Sequence, residues 1–86
     1  MNPDSSGAAG LVLYGRRDCC LCDEMEVAIR QLAGPAIHLE VVEIDDAPEL
    51  LRRFGADVPV LCLDGEVLCR HFLDAERLIG ALSAAG

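Results

Sequence analysis

The chain has 86 residues, a length that allows one domain with a small core. Fifteen acidic residues against seven basic ones give a net charge of −8, which argues against nucleic acid or an anionic membrane surface as a partner. The apolar runs are far shorter than the ~20 residues of a membrane-spanning helix, so no transmembrane segment is expected.

Residues 1–10 lack both the basic and the apolar segment of a secretory signal, and we expect a flexible tail there, followed by one domain over residues 11–86. Without export, the five cysteines are expected in the reducing cytoplasm. An odd count in that compartment argues against structural disulfides, so we expect the cysteines to carry chemistry or to fill the core.

The first two predicted elements are a strand and a helix. An apolar run that ends at Gly15 predicts a strand over residues 11–14, buried on both faces. Apolar residues at helical spacing predict a helix over residues 20–33 that ends at Gly34. The predicted buried stripe of this helix consists of Leu21, Met25, Ala28, Ile29 and Leu32.

The middle of the chain predicts a second strand and a short helix. Residues 37–44 are rich in β-branched side chains, which is typical of a strand. Asp46 stands three residues before Glu49, the spacing of a capping box. We therefore expect Asp46 to cap a helix that ends at Gly55.

The last third of the chain predicts a hairpin and a final helix. Asp64-Gly65 between two apolar runs is a strong signal for two antiparallel strands. With a tight two-residue turn, Cys62 and Cys69 share one face but lie too far apart for a disulfide, and we interpret both as core residues. Asp74 is expected to cap the final helix. The order β-α-β-α-β-β-α predicts an α/β fold with a four-stranded mixed sheet and helices on both faces.

A Cys-x-x-Cys pair, Cys19 and Cys22, occupies the junction between the first strand and the first helix. Backbone N–H groups and the positive end of the helix stabilise a thiolate there, so we expect the pKa of Cys19 to lie below its ordinary value. The helical wheel places Cys19 at the open end of the helix and leaves Cys22 half-buried. We therefore expect Cys19 to attack a disulfide and Cys22 to resolve the mixed disulfide that forms.

The charges around this pair compete, and the sequence leaves their balance open. Arg16 and Arg17 favour a thiolate, since both are cationic. Asp18, Asp23 and Glu24 oppose it, and these residues are equally close in sequence. The two arginines are either anchors for a substrate carboxylate or solvated surface residues.

Cys20 adds a third sulfur to the cluster. We interpret it as a bystander, because a disulfide between adjacent cysteines is strained. Two alternative interpretations of the whole cluster are core packing and a zinc or iron–sulfur site. No second Cys or His pair stands nearby at ligand spacing, so no bound metal is expected.

Four motifs accompany this order of strands and helices. They are Tyr14-Gly15-Arg16, Cys19-x-x-Cys22, Val58-Pro59 and Asp64-Gly65. Together they resemble the glutaredoxin branch of the thioredoxin superfamily, and most of all its small bacterial glutaredoxin-like proteins. The resemblance runs from about residue 11 to residue 82. It implies a thioredoxin-like fold of the glutaredoxin type and the activity of a thiol–disulfide oxidoreductase.

The resemblance also implies which residues meet the substrate. In this family the Val-Pro bond is cis and faces the cysteine pair, so the backbone of Val58, next to Pro59, would pair with the extended chain of a substrate. Glutaredoxins usually carry Gly-Gly before the last helix, where glutathione approaches the backbone, whereas this chain has the bulkier His71 and Phe72 in that stretch. Further substrate contacts are implied for Tyr14, Arg16, Arg17 and Asp74.

The sequence thus leaves two candidate substrates, a disulfide-containing protein and a glutathione mixed disulfide. Glutathione is a candidate co-substrate, no tightly bound cofactor is expected, and the chain is expected to act as a monomer. Two other functions remain open. One is a non-catalytic adaptor or metal-cluster module on the same fold, and the other is a monothiol glutathione-dependent reductase that needs Cys19 but not Cys22.

Overall fold

The computed structural model describes residues 10–34 and 37–85, so residues 1–9 of the expected tail lie outside the described part of the chain. The elements follow the predicted order. They are β1 (Leu11–Gly15), α1 (Cys20–Ala33), β2 (Leu39–Glu43), α2 (Pro48–Phe54), β3 (Val60–Leu63), β4 (Glu66–Arg70) and α3 (Ala75–Ala85). Within the described ranges, no helix is both long enough and apolar enough to cross a membrane.

The four strands form one mixed sheet in the order β2-β1-β3-β4. β1 pairs with β2 in parallel and with β3 antiparallel, and β4 completes the hairpin with β3. Gly15 at the end of β1 pairs with Glu43, and Tyr14 pairs with Val60 at the start of β3. The segments that follow β1 and β2 and the segment that precedes β3 therefore meet at one edge of the sheet. This mixed sheet is the predicted one.

The sheet separates two hydrophobic clusters, which confirms the prediction of helices on both faces. The larger cluster joins β1, β2 and β3 to α1 and α3 and consists of Leu11, Leu13, Met25, Ile29, Leu39, Leu61, Leu63 and Leu78. The smaller one lies beneath α2 and consists of Ile44, Phe54, Val60 and Cys62. Burying one such Leu or Ile side chain contributes ~1.5–3 kcal/mol, so these few side chains carry much of the stability of a small domain.

The first helix has the predicted bounds but a different buried face. Gly34 ends it with φ +83°, and its N–H donates to the carbonyl oxygen of Arg30. The side chains that α1 buries are Cys22, Met25 and Ile29, whereas Leu21 and Leu32 are 40% and 44% exposed. The predicted stripe is wrong at those two leucines. The buried face of α1 includes Cys22 because Gly15 has no side chain to hold the helix away from β1.

The two shorter helices begin differently. The N-cap of α2 is Ala47, with no side-chain cap, so the predicted capping by Asp46 is wrong. Asp46 instead pairs with the guanidinium of Arg17, at 2.7 Å. Asp74 does cap α3 as predicted, because its Oδ1 accepts a hydrogen bond from the N–H of Arg77 at 3.1 Å.

The hairpin turns at Asp64-Gly65, where both residues have positive φ, +51° and +87°. Beyond the turn, Cys62 pairs with Val67 as expected, but Leu61 pairs with Cys69 because β4 carries one extra residue there. This bulge moves Cys69 to the other face of the sheet, against the larger cluster, while Cys62 belongs to the smaller one. The prediction that the two cysteines share a face is wrong, and both still pack against apolar side chains.

Candidate active site

The cysteine pair lies at the start of α1, after the short loop that follows β1. Cys19 is the N-cap of α1 and is joined to Cys22 by a disulfide, with their Cα atoms 5.2 Å apart. The backbone N–H of Cys22 donates a hydrogen bond of 3.2 Å to the sulfur of Cys19. The sulfur therefore stands in the position that an N-capping oxygen usually takes, at the positive end of the helix.

The two sulfurs differ in access to solvent. Cys19 is half-buried, whereas Cys22 is only 7% exposed, so the expectation of a half-buried Cys22 is wrong. The cause is Gly15, since a Cβ at that position would lie 3.1 Å from the Cys22 sulfur. The neighbouring Cys20 is exposed and takes part in no disulfide.

Both arginines before the pair are engaged by the loop that follows β2. Nε of Arg16 lies 3.3 Å from Asp45, and the backbone N–H of Arg17 donates to the same carboxylate at 2.9 Å. The guanidinium of Arg17 also pairs with Asp46 and with Glu43. The backbone N–H of Arg17, helped by the Arg16 guanidinium, lowers the pKa of Asp45. These contacts tie the segment before Cys19 to the β2–α2 loop.

The acidic residues around the pair have no such partners. Asp18, Asp23 and Glu24 are exposed, and none of them takes part in an ion pair with another described residue. The arginine charge is meanwhile largely offset by the carboxylates of the β2–α2 loop. The segment around Cys19 therefore carries carboxylates without an ion-pair partner among the described residues, and these oppose the thiolate that the helix N-terminus favours.

The Val58–Pro59 segment lies at the same edge of the sheet, directly before β3. Its peptide bond is cis, the isomer that the resemblance implies. The Pro59 side chain is fully buried, and the backbone carbonyl oxygen of Pro59 accepts a hydrogen bond of 2.8 Å from the N–H of His71. Among the described residues, neither the N–H nor the carbonyl of Val58 is bonded to another backbone group.

The family model for the glutaredoxin-like domain (DUF836) matches residues 10–83. The chain belongs to this family. The match spans every described strand and nearly all of α3, so the family and the observed fold describe the same part of the chain. The glutaredoxin-like kind of protein that the sequence motifs resemble is thus confirmed.

Solved structures share this fold. Protein Ne2328 from Nitrosomonas europaea is 40% identical with a TM-score of 0.74, and the match covers 86% of this chain and 89% of that one. Protein XcR50 from X. campestris is also 40% identical at 0.74, with 90% and 100% covered. Buckwheat glutaredoxin, solved as a complex with glutathione, is 19% identical at 0.65, with 91% and 80% covered, and shows the shared fold alone. No curated protein is similar enough in sequence to count as a relative.

Two further residues with implied substrate contacts have structural partners in this glutaredoxin-like domain. Tyr14 points to the α2 face of the sheet, opposite to α1, and stacks on Phe54 with ring centroids 4.9 Å apart. Asp74 uses a carboxylate oxygen to cap α3. The structure brings Arg16, Arg17 and the Val58–Pro59 segment to the edge where Cys19 lies, while Tyr14 is turned to the other face.

A groove beside the pair was not predicted from the sequence. It has a volume of about 190 Å³ and lies between α1 and the β4–α3 loop; its lining is Leu21, Glu24, Met25, Ala28, His71, Phe72 and Leu73. The one signal for it is Phe72, an aromatic residue in a loop, which is 71% exposed. Among the described residues, no group of three Cys, His, Asp or Glu side chains is arranged to hold a metal ion.

Proposed function

We propose that this protein is a thiol–disulfide oxidoreductase that uses Cys19 and Cys22 for dithiol–disulfide exchange. One arrangement supports this proposal above all. A half-buried Cys19 sulfur accepts the Cys22 N–H at a helix N-terminus and forms a disulfide with the buried Cys22. The free end of the helix favours the thiolate form of Cys19, which is the nucleophile in disulfide exchange.

The reaction has two exchange steps. The Cys19 thiolate attacks one sulfur of the substrate disulfide, the substrate S–S bond breaks, and the departing sulfur takes up a proton. Cys22 then loses its proton and attacks the Cys19 sulfur, which releases the second substrate thiol. Two electrons pass from the cysteine pair to the substrate, which takes one proton from Cys22 and one from solvent, where Cys19 released its proton on ionising, and the pair ends as a disulfide. One dithiol or two monothiol molecules must supply two electrons to return it to the reduced form.

Other residues of this edge position the reactants. The backbone N–H and carbonyl of Val58 have no backbone partner among the described residues. They suit hydrogen bonds to an extended substrate chain beside Cys19, like those between two paired strands. Arg16 and Arg17 act as positioning residues, since their bonds to Asp45 hold the segment before Cys19. We propose a monomer that works in the cytoplasm without a bound cofactor.

The test compares cysteine variants in the reduction of a model disulfide, with dithiothreitol as the reductant. Cys19→Ser is expected to abolish reduction. Cys22→Ser, reduced and then freed of dithiothreitol, is expected to stop after the first exchange step and to hold a covalent adduct between Cys19 and one half of the substrate, visible by mass spectrometry. Cys20→Ser is the matched control, because Cys20 is an exposed thiol in the same segment and is expected to leave the rate unchanged.

Two results would contradict the proposal. A wild-type rate no higher than that of Cys19→Ser would show that the pair is not a reacting group and would favour an adaptor function. Continued turnover of Cys22→Ser with glutathione would show that the protein follows a monothiol route instead.

A further inference from the structure

The groove next to the cysteine pair has an apolar floor and an exposed aromatic wall. Met25 is 3% exposed and forms part of the floor, while Leu21 and Phe72 remain 40% and 71% exposed on either side. Leu21 is two residues beyond Cys19, so the groove opens within one helical turn of the half-exposed sulfur. Its volume of about 190 Å³ leaves room for one apolar side chain.

One residue of the groove is hydrogen-bonded to the segment proposed to hold a substrate backbone. His71 lines the groove, and its N–H donates to the Pro59 carbonyl at 2.8 Å. His71 itself has φ +67°, and the Phe72 that follows it is exposed. A chain that lay along Val58 would thus have the groove beside it for a neighbouring side chain.

Charge identifies what kind of chain fits. Glu24 is the acidic residue that lines the groove, and it is exposed and has no ion-pair partner among the described residues, whereas Asp18 and Asp23 adjoin the cysteine pair in the sequence and do not line the groove. His71 lines the opposite wall, and the carboxylate of Asp57 lies 3.8 Å from its imidazole and 4.0 Å from the guanidinium of the preceding Arg70. The unbalanced charge at the mouth of the groove is therefore negative, and it attracts cationic groups within about 10 Å.

Resting on the proposed function, we propose that the substrate is a disulfide in a polypeptide segment that carries a basic side chain and an apolar side chain beside its cysteine. The apolar side chain enters the groove between Leu21 and Phe72, and the basic one faces Glu24. Glutathione offers neither group, since it carries two carboxylates against one ammonium and has no apolar side chain. The acidic mouth repels it by the same charges that attract a basic polypeptide.

The test uses four activated disulfides that release the same chromophore, 2-thiopyridone, when Cys19 attacks the cysteine sulfur. Each is a mixed disulfide with 2-thiopyridine. One peptide has Leu and Arg next to its cysteine, a second has Leu and Glu, a third has Ser and Arg, and the fourth compound is the 2-pyridyl disulfide of glutathione. Attack joins Cys19 to the substrate sulfur as thiopyridone leaves, and Cys22 then displaces the peptide thiol. All measurements use reduced Cys20→Ser protein, so that Cys20 does not contribute.

The Leu-Arg peptide is expected to react about tenfold faster than the Leu-Glu peptide at low salt, with the ratio falling as salt rises. It is also expected to react about tenfold faster than the Ser-Arg peptide. Glutathione is expected to be the slowest of the four. Glu24→Lys should bring the ratio of the rates of the Leu-Arg and Leu-Glu peptides close to one. Phe72→Ser should bring the ratio of the rates of the Leu-Arg and Ser-Arg peptides close to one.

Glu66→Lys is the matched control for charge. Glu66 is exposed and pairs with Leu63 at the far edge of the sheet, so it is expected to leave both ratios unchanged. Equal rates for all four disulfides, or a faster reaction with glutathione, would overturn the substrate assignment and leave the proposed function standing. An equal effect of Glu66→Lys and Glu24→Lys would also overturn it. No thiopyridone release from any of the four would overturn both.

Discussion

The backbone N–H of Cys22 donates to the sulfur of Cys19 at 3.2 Å, so the two residues of the pair are joined by a hydrogen bond as well as by the disulfide. Helix α1 fixes that N–H, because Cys22 is its third residue. Reduction breaks the S–S bond but leaves the helix and its N–H in place. The reduced Cys19 sulfur therefore has a donor ready to stabilise its negative charge.

A lowered pKa of the Cys19 thiol is the first prediction. The rate of alkylation of reduced Cys20→Ser protein by iodoacetamide, followed against pH, should rise at a lower pH than that of a free cysteine, because the helix end favours the thiolate. A midpoint at or above that of free cysteine would show that the acidic residues around the pair outweigh the helix end.

Protection of Cys62 is the second prediction. Its side chain is 4% exposed, and burial raises the pKa of its thiol. In reduced native protein, mass spectrometry of alkylated peptides should show Cys62 unmodified while Cys19 and Cys20 react. In guanidinium chloride all five cysteines should react, which serves as the control. Fast native labelling of Cys62 would mean that the hairpin opens readily.

Much of this architecture follows from local sequence signals. The start of α1 at Cys20 and its end before Gly34 follow from helical spacing and a C-terminal glycine, features that depend on neighbouring residues only. The placement of Cys19 at the helix mouth follows from the same pattern. Asp64-Gly65 similarly determines the hairpin, because its two residues accept positive φ.

The features missed from the sequence depend on contacts between distant residues. The bulge that separates Cys62 from Cys69 is a property of how β4 pairs with β3, and nothing in the apolar pattern marks it. The partners of Arg17 stand up to 29 residues further along the chain, in the β2–α2 loop. The burial of Cys22 depends on Gly15 in a separate element, so the spacing within α1 alone could not reveal it.

A pH-dependent role of Asp45 is the third prediction. The bonds from Arg17 and Arg16 lower its pKa from the ordinary 3.8, so the folded protein holds this carboxylate charged more strongly than the unfolded chain does. The resulting stability is fully present above pH 3.8 and is lost as the pH falls through the lower folded value. Asp45→Asn should therefore unfold at lower denaturant concentration than the wild type at neutral pH, with a difference that shrinks in acid.

The control for this measurement is Asp46→Asn in the same loop. The Asp46 side chain is 91% exposed, so its pair with Arg17 is screened by water and its removal should change the unfolding midpoint little. A difference between Asp45→Asn and the wild type that stays constant down to strongly acidic pH would contradict a role for the Asp45 charge.

The close approach of Gly15 to Cys22 leads to the fourth prediction. An alanine Cβ at position 15 would lie 3.1 Å from the Cys22 sulfur and 3.2 Å from its Cβ. In the oxidised protein the disulfide to Cys19 holds that sulfur, whereas in the reduced protein the side chain can rotate away. Gly15→Ala should therefore destabilise the oxidised form by ~1–3 kcal/mol and the reduced form by less.

This difference between the two forms can be read as a redox equilibrium. Gly15→Ala raises the reduction potential of the pair if it destabilises the oxidised form more than the reduced form. The rise is ~30 mV for each ~1.4 kcal/mol of that difference, and titration in a dithiothreitol redox buffer measures it. Gly80→Ala is the control, since a Cβ on that α3 residue meets nothing within 4 Å. It should stabilise the helix by up to ~1 kcal/mol and leave the potential unchanged. An unchanged potential in Gly15→Ala would mean that α1 moves away from β1 as a unit and that its packing there does not fix the position of the resolving sulfur.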